Sequence, residues 1–117
     1  MKVVINRCYG GFGLSDVAFE KLLDRKGIAW EKKKDRYSYD AYYHAGHLDD
    51  NDYYLSDYKF YGDRTDKDLL AVIEEMGEAS FGEFANLQIV NIPDDVEFEI
   101  EKYDGMEWVA EKHRTWS

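Results

Sequence analysis

Val3, Val4 and Ile5 form a short apolar run that predicts a strand over residues 2–7, with Val3 and Ile5 on one side and Val4 on the other. Helical spacing begins after Ser15. Ser15 is a good N-cap, Asp16 suits the positive end of a helix, and Leu14 is placed to pack on Phe19 as a staple. Ala18, Phe19, Leu22 and Leu23 supply the apolar stripe, and Gly27 followed by Ile28 fits a Schellman ending with Ile28 over Leu23. Residues 28–34 read as a short strand. Thr65 is the expected cap of a second helix, in which Leu69, Val72, Ile73 and Met76 recur at helical spacing until Gly77 stops it. Leu87–Ile92 is strand-like, and Pro93-Asp94-Asp95 is a turn.

The clearest β pattern lies near the end of the chain. Val96, Phe98 and Ile100 alternate with Glu97, Glu99 and Glu101, and Asp104-Gly105 is a two-residue turn signal. A turn there sets Ile100 opposite Val109, Glu97 opposite Lys112 and Lys102 opposite Glu107, so two opposite-charge pairs are expected across the strands. Trp108 falls on the outer face among glutamates. The elements together predict an α+β fold: a mainly antiparallel sheet with a C-terminal β-hairpin (96–102 and 106–112), packed against two helices (15–26 and 66–76). The helices are expected to cover Val96, Phe98, Ile100 and Val109.

Residues 35–63 break these patterns. They hold eight of the ten tyrosines and seven aspartates, with almost no aliphatic residue. Such a stretch reads as a surface excursion or long loop with room for short extended pieces, within a single domain spanning 1–117, its aromatic rings leaning on the body.

A chain of 117 residues is long enough for one core without metal or disulfide staples. The single cysteine, Cys8, excludes an internal disulfide and points to a reducing, cytoplasmic compartment. No run reaches the roughly 18 apolar residues of a membrane span, so no membrane association is expected. The net charge of −10 is uneven: residues 1–34 carry +4, and the remainder is acidic. Most of the surface therefore repels nucleic acid, and direct nucleic-acid binding is not expected. A patch around Lys21, Arg25, Lys26 and Lys32–Lys34 is basic enough to attract a phosphate or an acidic partner.

Four groups of residues carry candidate chemistry. Gly10, Gly11, Gly13 and Ser15 lie between a strand and a helix N-terminus, where free N–H groups hold anions. The segment lacks both the dinucleotide and the Walker A spacing, and its glycines equally suit a tight connection. Cys8 is a candidate reactive thiol, although a base such as His44, His47 or His113 would have to be brought to it. His44 and His47, followed by aspartates, are a weak metal candidate with the wrong spacing for known sites, and neither metal nor cofactor is expected. Tyr39, Tyr42, Tyr43, Tyr53, Tyr54 and Tyr58, with Asp49, Asp50 and Asp52, are candidate protein contacts: tyrosines anchor interfaces, and spaced carboxylates steer a basic partner. No catalytic set can be assembled from the sequence.

The opening Ile5-Asn6-Arg7-Cys8-Tyr9-Gly10-Gly11-Phe12-Gly13-Leu14-Ser15 resembles that of small uncharacterised bacteriophage and prophage proteins. The same holds for Ile92-Pro93-Asp94-Asp95-Val96 and for Tyr103-Asp104-Gly105-Met106-Glu107-Trp108-Val109-Ala110-Glu111-Lys112-His113-Arg114. With the Leu69–Gly77 helix, the resemblance spans about two-thirds of the chain. It implies a product made inside an infected or lysogenic bacterium and favours a binding or host-modulating protein over a housekeeping enzyme, and it carries over no catalytic role. The alternative is a small nucleotide- or phosphate-binding protein or enzyme that uses the Gly10–Ser15 loop.

Overall fold

A computed structural model describes residues 1–112 and has the α+β class that the patterning predicts. Strand β1 (Lys2–Asn6) leads to helix α1 (Asp16–Arg25), then to β2 (Trp30–Lys34) and β3 (Asp40–His44). A 3₁₀ turn (Asn51–Tyr53) and the short helix α2 (Tyr58–Tyr61) precede helix α3 (Lys67–Met76). Another 3₁₀ turn (Gly77–Ser80) then joins α3 to β4 (Leu87–Asn91), β5 (Phe98–Tyr103) and β6 (Met106–Glu111). Every strand pair is antiparallel, but the pairs β1–β4, β2–β3 and β5–β6 remain three separate ribbons.

Helix α1 is the hinge of the packing. The Ser15 hydroxyl accepts from the Ala18 N–H, and the helix ends with Ile28 N–H on Leu23 O and Gly27 N–H on Asp24 O, both of the Schellman bonds. Its buried residues divide between two cores. Ala18 and Leu22 meet Val4, Leu69, Val72, Ile73 and Leu87, which join α1, α3, β1 and β4. Phe19 and Leu23 turn instead to Tyr42 and Leu55, with Trp30 and Phe60 at the margin. Tyr42 and Leu55, two of the four buried residues of the second core, come from the Tyr/Asp-rich segment, which is therefore more than a surface excursion: β3 and α2 lie inside it, and Tyr43 and Tyr61 are buried as well.

The hairpin has the predicted register, with Ile100 opposite Val109 and Glu101 opposite Trp108. Its environment differs from expectation. The helices cover β1 and β4, and Val96, Phe98, Ile100 and Val109 belong to neither core. Trp108 is exposed on the outer face, and its indole N–H donates to Glu101 Oε2 at 3.0 Å. The Lys102–Glu107 ion pair does not form, because Glu107 points into the body and meets Arg64. Glu97 and Lys112 meet through a backbone bond, Lys112 N–H to Glu97 O, at 3.0 Å.

The start of α3 is shifted by one residue from the expected cap. The Asp66 carboxylate accepts from the Leu69 N–H at 3.0 Å, whereas the Thr65 hydroxyl donates to Asp63 Oδ1. Asp66→Ala is expected to cost about 1 kcal/mol in urea unfolding, and Thr65→Ala distinctly less. Equal losses would return the cap to Thr65.

Candidate functional site

The candidate contact segment is bolted to the fold by three of its tyrosines. Tyr42 is 5% exposed, and its hydroxyl donates to Glu20 Oε2 at 2.8 Å. Burial and that carboxylate push its pKa well above the ordinary phenol range. Tyr61 accepts from the Leu14 N–H, and its ring meets Phe12 edge-on at 4.8 Å. Tyr43 packs edge-on against Tyr54 at 5.5 Å. Tyr42 and Tyr43, expected among the contact residues, are therefore internal packing and leave little surface for a partner.

Five other tyrosines face outward. Tyr37 and Tyr39 sit on the β2–β3 turn, where Asp35 Oδ1 accepts from both of their N–H groups. Tyr53 and Tyr54 lie on the 3₁₀ turn and just after it, and Tyr58 on α2 is 84% exposed. Tyr53 stacks on His47 at 3.6 Å with His44 nearby. Among the described residues, no group of three or more His, Cys, Asp or Glu side chains is arranged to hold a metal ion. The carboxylates beside these tyrosines divide in the same way. Asp49 pairs with Lys33, and Asp50 caps the 3₁₀ turn. Asp52 and Asp57 have no cationic partner among the described residues.

The expected basic patch is neutralised within the fold. Lys21 pairs with Glu75, Arg25 with Asp68, and Lys26 with Asp66 and Asp68. Lys32 joins Glu20 and Asp40, Lys33 meets Asp49, and Lys34 meets Asp40. Exposed pairs of this kind add little stability, but they leave little uncompensated positive charge for an outside anion.

Scans against protein-family models, curated proteins and solved structures find no match.

The glycine-rich loop does not act as one unit. Gly10 and Gly11 line a cavity with Arg64 and Lys102. Gly13 O accepts from the Gly82 N–H, and the Ser15 N–H donates to Ser80 O, so those two positions are tied to the segment after α3. Gly10 is required by close approach: a Cβ there would stand 2.2 Å from both Phe84 Cβ and Phe84 O. At the start of α1 the surroundings are acidic. A small cavity of about 100 Å³ is lined by Asp16, Asp40 and Asp57 together with Tyr42, Tyr54 and Tyr61. Cys8 is half-buried beside the hairpin tip, and its carbonyl accepts from Asn6 Nδ2. His113 lies outside the described residues.

The pKa values of Asp16 and Asp40 are shifted in opposite directions. Desolvation and the Asp40 carboxyl beside it raise Asp16 above its ordinary value, whereas the Lys34 ammonium bound to Asp40 lowers Asp40. Asp16 holds its proton more tightly folded than unfolded, so its ionisation lowers stability as pH rises through its folded pKa. Asp40 does the reverse: its contribution is present above its unfolded pKa and fades as pH falls through the lower folded one. Carboxyl carbon shifts followed by NMR from acid to neutral pH are expected to move first at Asp40 and later at Asp16, and the opposite order contradicts the geometry.

The sequence gives little warning of the most buried polar cluster. Glu107 is 4% exposed and takes a two-pronged grip from Arg64, Nη1 to Oε1 at 2.6 Å and Nη2 to Oε2 at 2.9 Å. Arg64 Nε donates to Tyr61 O, and the guanidinium lies over the Phe12 ring at 3.8 Å. Glu107 Oε1 also accepts from the Asn6 N–H, while Arg64 O accepts from the Val4 N–H. The edge of β1 away from β4 is thus satisfied by one carboxylate and one carbonyl where a third strand would otherwise pair. The available signal was the parity of Glu107, which shares a hairpin face with Ile100 and Val109.

Proposed function

We propose that the protein works by binding another protein of basic character through the face made by the β2–β3 turn and residues 47–58. The observation that carries this reading is the division of the middle tyrosines: three are buried anchors, and five stand exposed on the segment they anchor. Exposed tyrosines are costly to keep on a surface that only needs solubility, and they are the residues that fill partner pockets. Asp52 and Asp57, without a cationic partner among the described residues, and the net charge of −10 favour a partner rich in Lys and Arg. The resemblance to phage products adds that the partner belongs to a bacterial host.

Deleting the segment would remove β3 and much of the second core, so surface substitutions are the proper test. Immobilised protein is exposed to bacterial lysate at about 50 mM and about 500 mM salt, beside a folded variant carrying Tyr39→Ala, Asp52→Asn, Asp57→Asn and Tyr58→Ala. The expected result is a basic protein held at low salt by the wild type, largely released at high salt, and not retained by the variant. Retention of the same proteins by both forms, or retention of none, ends this reading.

A further inference from the structure

Gly10, Gly11, Tyr58, Gly62, Arg64 and Lys102 line a cavity of about 410 Å³ where the loop after β1, α2 and the tip of the β5–β6 hairpin meet. That volume falls in the ordinary range of small-molecule sites, roughly 300–1,000 Å³. Its charge is unlike that of the surrounding protein. Glu107, which also lines it, is already held by Arg64 and the Asn6 N–H. Lys102 stands opposite Glu107 across the hairpin yet pairs with no carboxylate among the described residues. An ammonium group is therefore left free at a cavity in a protein of net charge −10.

Two backbone features point the same way. The Gly10 N–H has no acceptor among the described residues, whereas Gly11 closes the hydrogen-bonded turn over Tyr9–Gly10. At Gly62 the backbone is ordinary helical, φ −67° and ψ −34°, and an added Cβ would meet no protein atom within 4 Å. Nothing in the fold asks for glycine there, whereas a ligand lying against bare backbone would. Tyr58 adds an unengaged aromatic face at the same opening.

We infer that this cavity binds a small anion carrying an aromatic ring, with the size and charge of a nucleoside monophosphate. The phosphate meets the Lys102 ammonium and the Gly10 amide, and the base stacks on Tyr58. Arg64 serves as a wall, since Glu107 already occupies both prongs of its guanidinium. The site is separate from the tyrosine face, apart from the shared Tyr58, and stands or falls independently of the protein-binding proposal.

The test is titration of the full chain with adenosine 5′-monophosphate, followed by amide shifts and calorimetry, with inorganic phosphate and adenosine as separate probes. The nucleotide is expected to move the amides of Gly10, Gly11, Gly62 and Lys102 and to bind about tenfold more tightly than either part alone. Lys102→Gln should weaken it about tenfold. Gly62→Ala, in a backbone conformation that accepts alanine, should melt as the wild type does yet bind about fivefold more weakly. Unmoved amides at millimolar nucleotide, unchanged affinity in Lys102→Gln, or phosphate binding as tightly as the nucleotide would each overturn the assignment.

Discussion

Glu107→Ala is expected to cost about 3–5 kcal/mol, a large part of the roughly 5–15 kcal/mol that holds a domain of this kind together. The substitution leaves the part-buried Arg64 guanidinium without its carboxylate and strips the buried Asn6 N–H of its acceptor at 2.8 Å. It therefore loosens the β5–β6 hairpin and the free edge of β1 together. In thermal unfolding the midpoint should fall by more than about 10 °C. Arg64→Met combined with Glu107→Leu removes both charges and should recover much of the loss, because the cost lies in the orphaned charge more than in the missing attraction. A double variant less stable than Glu107→Ala alone would show that the pair itself is a strong net stabiliser.

Gly105→Ala should be nearly as damaging, for a steric reason. Gly105 has φ +90°, and a Cβ there would stand 2.5 Å from Tyr9 O and 2.7 Å from Gly11 N. The hairpin tip rests directly on the backbone of the loop after β1, and Gly105 O accepts from Asn6 Nδ2 at 2.8 Å. Alanine must both adopt a left-handed conformation and push two backbone segments apart, at an expected cost of about 2–5 kcal/mol. Amide exchange should rise in β5, β6 and residues 6–11, with α1 and α3 still protected. Uniform loss of protection across the chain would mean that the hairpin is not a separable unit.

The contrast between these two positions shows what the sequence could disclose. Asp104-Gly105 announces its turn locally, and the period-two alternation then sets the register of β5 and β6. The cap, stripe and stop of α1 are equally local, and all three are where the spacing places them. At α3 two neighbouring oxygen-bearing residues, Thr65 and Asp66, could cap the helix, and spacing alone does not separate them. The partner of Glu107 is 43 residues away, beyond any local pattern. The extended piece expected somewhere in residues 35–63 could not be placed at β3, because Ala41, Tyr42 and Tyr43 are buried in succession, which abolishes the alternation that marks a half-buried strand. Tyrosine also reads as surface when its hydroxyl is counted, whereas Tyr42 buries its ring and hands its hydroxyl to Glu20. The basic patch was visible as composition, but its neutralisation by Glu20, Asp40, Asp66, Asp68 and Glu75 appears only once helices and strands are packed.

The central claim is that exposed tyrosines anchor a basic protein while free carboxylates steer it. The most direct measurement is the kinetics of the captured partner on immobilised wild type, on Asp52→Asn/Asp57→Asn and on Tyr39→Ala/Tyr58→Ala, across a range of salt. The association rate is expected to fall about tenfold from low to high salt, less steeply for the carboxylate variant. The tyrosine variant should keep that association rate and dissociate at least about tenfold faster. Rates that ignore salt, or a tyrosine variant that dissociates as slowly as the wild type, would contradict the central claim.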